Sequence, residues 1–188
     1  MNGSIAVRTG VAVPALAVLM AATRFYHFGS ATLLPDASVA VFLLGGFYLA
    51  RARWFALFFV EAALIDHIAV SWGGVNGWCI TPAYAFLVPA YGAAWLAGAW
   101  TARGLEASAR GIVRAALAFL AGLAGWFVIS NAGFFLFGGY FDEMSAAEYA
   151  SRVATYFGGY LAAAGAYVLL AAALHALCML AARALRRA

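Results

Sequence analysis

The chain contains no lysine, and its 11 basic residues are all arginine. Charged residues of either sign make up 10% of the 188 residues, where soluble domains carry about 25%. A water-exposed surface of this size cannot be covered with so few charges, so a soluble domain is excluded. Cysteine is scarce: Cys79 and Cys178 stand far apart, which excludes a CxxC redox pair and a cysteine-rich zinc site. No Walker-type phosphate loop is present, so there is no ATP site in this chain and any ATP-driven step needs a partner. Internal repeats and low-complexity linkers are missing too, and the length fits one domain, 1–188.

What is there instead is apolar. Hydrophobic residues make up 67% of the chain, and the mean hydropathy is +0.94. Lipid cannot satisfy free backbone polar groups, so the expected fold is helical or a closed barrel. Barrel strands alternate apolar and polar residues. Here the runs are continuous and about 20 residues long, the length that spans a bilayer as helix. The expectation is an all-α, six-transmembrane-helix integral membrane protein. Its helices fall at roughly 8–27, 36–51, 54–71, 82–101, 110–137 and 150–184. The first run ends in Arg24-Phe25-Tyr26-His27 without a small-residue cleavage pattern, so it is read as a span and not as a cleaved signal.

Arginine placement sets the expected orientation. Arg8, Arg51, Arg53, Arg103, Arg110, Arg114, Arg183, Arg186 and Arg187 all fall on one side of six spans, leaving Arg24 and Arg152 on the other. The positive-inside rule then puts both termini in the cytoplasm of a bacterial inner-membrane, multi-pass protein. The net charge of +4 is therefore topology information, not a nucleic-acid-binding stripe. The outward loops become 28–35, 72–81 and 138–149, the last two rich in aromatic residues that can also serve as interface anchors.

A charge inside a bilayer must be paired or wet, and so marks a functional candidate. Arg24 and His27 share a face of helix one, Asp66 and His67 end helix three, and Arg152 opens helix six with Thr155 and Tyr156. Either Arg24 or Arg152 can pair with Asp66. The cluster reads as a ligand site or as a set of satisfied interhelical pairs. Glu61 sits deeper in helix three, and His175, in the inner half of helix six, reads as a packed neutral histidine. Cys79 and Cys178 lie at opposite ends of the spans, about 30 Å apart, too far for a disulfide. Cys79 is then a free thiol in the outer loop: a small buried residue, or a thiolate for a soft or borderline metal centre.

At these residues the chain resembles the BtuM family of bacterial vitamin B12 transporters, relatives of the substrate-binding S-components of energy-coupling-factor (ECF) transporters. The stretches that carry it are Arg24-Phe25-Tyr26-His27-Phe28-Gly29-Ser30, Leu34-Pro35-Asp36-Ala37, Glu61-Ala62-Ala63-Leu64-Ile65-Asp66-His67 and, most specific, Trp78-Cys79-Ile80-Thr81-Pro82-Ala83-Tyr84. The resemblance covers nearly the whole chain. It implies an S-component-like bundle that binds cobalamin as substrate in a cavity open to the periplasm. Cys79 would ligate the cobalt, and His27, Asp66, Tyr84 and Arg152 would line the site. It also implies removal of the cyanide ligand of cyanocobalamin, with Cys79 as the reactive group, and an ECF-type coupling module as partner. Small residues on helix one, such as Ala17 and Ala21, have the spacing that lets helices dock closely. The corrin needs apolar walls and amide partners; Trp72, Trp78, Phe28 and Tyr156 are the expected walls, and Asp66, Arg152, Tyr84 and Asn76 the expected rim. Two other classes fit the same residues: a membrane redox enzyme using Cys79 on a haem or quinone-type substrate, and a structural membrane subunit in which the polar cluster is packing.

Overall fold

The computed structural model describes residues 2–25, 34–104, 106 and 108–185, with side chains from residue 10 onward. All regular structure among them is helical. The elements are α1 (Asn2–Arg24), α2 (Ser38–Tyr48), α3 (Ala52–Ser71), a 3-10 turn (Pro82–Phe86), α4 (Leu87–Ala102), α5 (Ala109–Phe137) and α6 (Ala146–Leu185). The expected set of six helices is present, with shifted ends.

Three of these helices, α3, α5 and α6, are long and apolar enough to cross a membrane, with mean hydropathies of 1.6, 2.1 and 2.0 in their best windows. At 1.5 Å per residue, the 20 residues of α3 reach about 30 Å, the thickness of a hydrocarbon core. None of the residues in the best window of α6 is buried in the bundle. An apolar helix with that much free surface needs an apolar solvent.

Expected and observed boundaries differ for identifiable reasons. Helix six begins at Ala146, not 150, because Ser145 caps it: the Glu148 N–H donates to Ser145 Oγ at 3.2 Å. Ser145 and Glu148 have the spacing of a capping box. Helix four is split, opening as a 3-10 turn. Thr81 Oγ1 accepts from the Ala83 N–H at 3.3 Å, and Pro82 takes the first position, where its missing N–H costs nothing. Helix two is shorter than 36–51. It starts where Asp36 Oδ1 accepts from the Ser38 N–H at 2.9 Å and the Ser38 hydroxyl at 2.6 Å. It stops because Ala50 turns left-handed, at φ 52°. There the Leu49 and Ala50 N–H groups both donate to the Gly45 carbonyl, at 2.9 and 3.3 Å, which closes the last turn. Helix one starts at Asn2 and its helical segment ends at Arg24, short of the expected 27.

The shortest helix lies at the centre. Residues Ser38–Gly46 of α2 are buried without a break, as expected of a helix that is apolar all round. Its closest neighbour is α4. A side chain at Gly46 would run into the Trp95 backbone, and one at Gly98 into the Leu43 carbonyl oxygen. Without side chains at these two positions the backbones of α2 and α4 approach directly, and dispersion between them replaces the hydrophobic driving force that lipid lacks. Phe42 stacks on Tyr91 at 4.2 Å, tying α2 to α4 a second time. Successive helices run in opposite directions. One end of the bundle therefore gathers the C-terminal ends of α1, α3 and α5 with the start of α4. The other gathers the ends of α2 and α4 with the start of α5.

Candidate functional site

The first of these ends holds a cavity of about 190 Å³, lined by residues of α1, α3, α4, α5 and α6, with Asp36 from the segment just before α2. Its floor is a buried polar network. Arg24, at the end of α1, and Asp66, near the end of α3, have exposures of 2% and 1%. They form a two-pronged ion pair: Nε donates to Oδ1 at 2.8 Å and Nη2 to Oδ2 at 2.7 Å. Nη1 also donates to Ser38 Oγ and to the Tyr91 hydroxyl, both at 2.8 Å. The Tyr84 hydroxyl donates to Asp66 Oδ2 at 2.7 Å. Five elements thus meet on one ion pair. A buried pair breaks even against desolvation only when its geometry is bidentate and its remaining donors are used, and both conditions hold here.

The question left open between Arg24 and Arg152 is therefore decided for Arg24. Arg152 is exposed on α6 and donates to Glu148 Oε1, one turn back, at 2.7 Å. It does not line the cavity. Asp66 and Tyr84 do, and so does Cys79. His27 lies outside the described residues, as does Phe28.

Cys79 is half-buried in the loop between α3 and the 3-10 turn. Burial pushes its thiol pKa up, the Asp66 carboxylate adds to the rise, and Arg24 offsets part of it. At neutral pH this sulfur is a protonated thiol, unlike the low-pKa cysteines of electropositive nucleophilic sites. Gly74, at φ 68°, lets the preceding loop turn back towards the cavity. Both cysteines are free, and Cys178 is exposed on α6.

Trp72, Trp78 and Tyr156, three of the four expected walls, are not among the observed ones. Trp72 and Tyr156 are exposed and do not line the cavity. Trp78 stacks on Tyr140 with ring centroids 4.2 Å apart, and its backbone N–H takes the side-chain oxygen of Asn76 at 3.0 Å. That pairing holds the Cys79 loop in place and leaves neither residue at the cavity. The walls are Tyr91 of α4, Trp126 and Phe134 of α5 and Tyr160 of α6. Asn131 joins them, donating to the Phe127 carbonyl at 2.8 Å and accepting from the Tyr149 hydroxyl at 3.3 Å. The indole N–H of Trp126 is buried with no acceptor among the described residues, and Asp36 adds a second carboxylate at the cavity edge. Sequence reasoning missed the α5 residues. The available signal was Ser130-Asn131, a polar pair inside a 29-residue apolar helix.

The remaining candidates sit elsewhere. Glu61 is half-buried and His67 exposed, both away from the cavity. His175 is packed on one side only: its ring is exposed yet stacks on Tyr48 with centroids 5.9 Å apart, and its Nδ1 lies 3.3 Å from the Tyr48 hydroxyl, beside a separate apolar cavity of about 250 Å³ at the opposite end. Ala17 packs against the core while Ala21 is exposed, so the two do not share a free face. Among the described residues no group of three or more His, Cys, Asp or Glu side chains comes together.

The class these observations define is an all-helical protein, with three helices fit to cross a membrane and a polar-floored, aromatic-walled cavity at one end of the bundle. No protein-family model matches the chain, and no curated protein matches it in sequence.

Proposed function

We propose that the chain is a cobalamin uptake protein of the bacterial inner membrane, similar to the BtuM family, with six spans, both termini cytoplasmic and the Cys79 cavity opening to the periplasm. The observation that carries this reading is a single uncommitted thiol at a cavity whose floor is polar and whose walls are aromatic. A cobalt centre already held in four equatorial positions by a macrocycle needs one axial donor, and thiolate is a strong one. A bare metal ion would need several ligands.

Cavity size constrains the pose. At about 190 Å³ the space is smaller than the roughly 300–1,000 Å³ pockets that enclose drug-sized ligands. The corrin disc therefore lies across the mouth, and only an axial group or a rim amide enters. Tyr84 and Asp66 offer a hydroxyl and a carboxylate to such an amide, and the orphan indole N–H of Trp126 is a donor for its carbonyl. The raised thiol pKa is compatible with a metal ligand. A metal strips the proton from a coordinating thiol outright, whereas a redox or nucleophilic cysteine depends on being ionised beforehand.

Cyanide loss follows as ligand substitution. The Cys79 S–H bond and the cobalt–cyanide bond break, a sulfur–cobalt bond forms, and the proton leaves with cyanide as HCN. No electron changes hands, so no reductant is needed for this step. Release to the cytoplasm and its energy source fall to a partner, with an ECF-type coupling module as the implied one.

The test is spectroscopic. Protein purified with cyanocobalamin should retain corrin, with a band shifted from that of the free vitamin. Cys79→Ala should lose the shift. Wild-type protein that retains no corrin at micromolar concentration sinks the proposal. Substrate turnover without retention would favour a membrane enzyme.

A further inference from the structure

We propose that the groove between α4 and α5, at the end opposite the cavity, is a binding site for an anionic phospholipid. Arg114 takes the phosphate, and an acyl chain lies against Leu96, Leu117 and Ala121. The site rests on the membrane reading alone and is independent of cobalamin.

Arg114 stands at the head of the groove. Its guanidinium carbon is 4.0 Å from the centroid of the Trp100 ring, and the cation–π contact fixes the plane of the fork. The fork also packs against Gly104, where any side chain would collide with it. Its Nε is buried and has no hydrogen-bond partner among the described residues. No carboxylate is within ion-pairing distance of Arg103, Arg110 or Arg114 among those residues, where the ion pairs are Arg24–Asp66 and Arg152–Glu148. A guanidinium cannot lose its proton, so a cation with no carboxylate partner calls for an anion at its outer nitrogens, which unlike Nε are not fully buried. Phosphate oxygens match the fork geometry.

The groove begins at Trp100, the ring beneath the guanidinium. It has a volume of about 410 Å³ and is lined by Leu96, Ala97 and Trp100 from α4 and Leu117, Ala118 and Ala121 from α5. Trp100 belongs to both halves, under Arg114 on one side and in the groove wall on the other. From Trp100 the groove runs one helical turn deeper, to Leu96 and Ala121, about 6 Å along the axis. Leu96 and Leu117 are 69% and 61% exposed, so the wall opens outward to whatever surrounds the bundle. A docked helix of ordinary apolar composition would bury the Arg114 charge without compensation. A lipid with a negative head and an apolar tail satisfies both halves at once.

The experiment is native mass spectrometry of the full chain, delipidated in detergent and re-exposed to phosphatidylglycerol, phosphatidylethanolamine or inorganic phosphate at matched concentration. Wild type should hold phosphatidylglycerol about tenfold better than phosphatidylethanolamine, the scale of a charge-assisted hydrogen bond. Arg114→Gln should abolish that preference. Ala121→Trp fills the groove from an exposed position and should weaken phosphatidylglycerol about tenfold while leaving the arginines in place. Melting in lipid-free detergent checks that both variants are folded. Equal retention of the two lipids by wild type overturns the proposal, as does retention of phosphatidylglycerol by both folded variants at wild-type level. Full displacement by inorganic phosphate would leave an anion subsite without a lipid chain, and overturns it too. Retention of cyanocobalamin, scored on the same samples, reports on the other end of the bundle separately.

Discussion

Removing the two charges at the floor of the cavity, singly and together, separates what that pair does for the fold from what it does for the ligand. Breaking a buried ion pair costs about 3–5 kcal/mol, because the surviving charge is left in an apolar site. The two single variants should not be equal. Asp66→Leu strands a guanidinium that cannot be neutralised, while Arg24→Met strands a carboxyl group that a proton can neutralise. We expect about 5 kcal/mol for the first and about 3 for the second. The double variant Arg24→Met/Asp66→Leu removes both charges. What remains is the Tyr91 hydroxyl, buried and now without its partner Arg24 Nη1, and the Tyr84 hydroxyl, which can reach water in the cavity. Ser38 keeps Asp36 at 2.6 Å. The double variant should therefore cost about 2–4 kcal/mol, one or two unsatisfied hydroxyls, well below the sum of the singles. The difference is a coupling of about 4 kcal/mol or more. Reversible unfolding in mixed sodium dodecyl sulfate and dodecylmaltoside micelles measures all three. Additive costs, or Arg24→Met worse than Asp66→Leu, would refute the account of the network as a paired unit. If the double variant folds but no longer retains corrin, the pair also serves the ligand.

Corrin binding should depend on pH in a way set by the axial ligand. For aquocobalamin, sulfur binding displaces a proton from the raised Cys79 thiol, so affinity should rise about tenfold per pH unit across the acidic and neutral range. For cyanocobalamin the cyanide carries that proton away as HCN and the profile should be flat; equilibrium titrations that show the same slope for both would contradict thiol ligation. Ala50→Gly should stabilise the protein by about 1 kcal/mol, since a left-handed backbone at φ 52° penalises a Cβ, and a micelle unfolding curve that shifts the other way rejects the strain. Gly98→Ala should destabilise by about 3 kcal/mol or more, an overpacking cost, because its methyl meets the Leu43 carbonyl oxygen; an unchanged midpoint would mean that α2 and α4 separate easily. Arg152→Ala should change stability by less than about 1 kcal/mol, as for other exposed i,i+4 pairs, so any fall in corrin retention in that variant reports direct contact.

Composition alone fixed the class of fold. Continuous apolar runs, arginines at their ends and 10% charge leave helices in an apolar solvent as the arrangement that satisfies every backbone group. Most helix ends were placed to within a few residues, although helix one starts six residues before the expected position 8. The errors at Ala146 and Pro82 came from local capping chemistry that was present in the chain but unweighed, Ser145 with Glu148 and Thr81 with Pro82. The polar exceptions Arg24, Asp66 and Cys79 were legible too, because a charge or thiol in such a background is conspicuous. The expected neighbours were less so. Trp72 and Tyr156 face outward, and Arg152 is satisfied on its own helix.

Pairing and facing belonged to the tertiary structure. Two arginines were within plausible reach of Asp66, and only the approach of α1 to α3 selected Arg24. Nothing in the order of helices placed the short α2 at the centre; that follows from Gly46 and Gly98 letting α2 and α4 touch. The cavity walls on α5 were hidden for a physical reason. In water a helix declares its inner face by being apolar there and polar elsewhere. In lipid both faces are apolar, so Trp126 and Phe134, which line the cavity, carry the same signature as Val128 and Leu136, which face outward. Sequence determines that such a helix exists and what medium surrounds it, and packing decides which of its side chains meet a ligand.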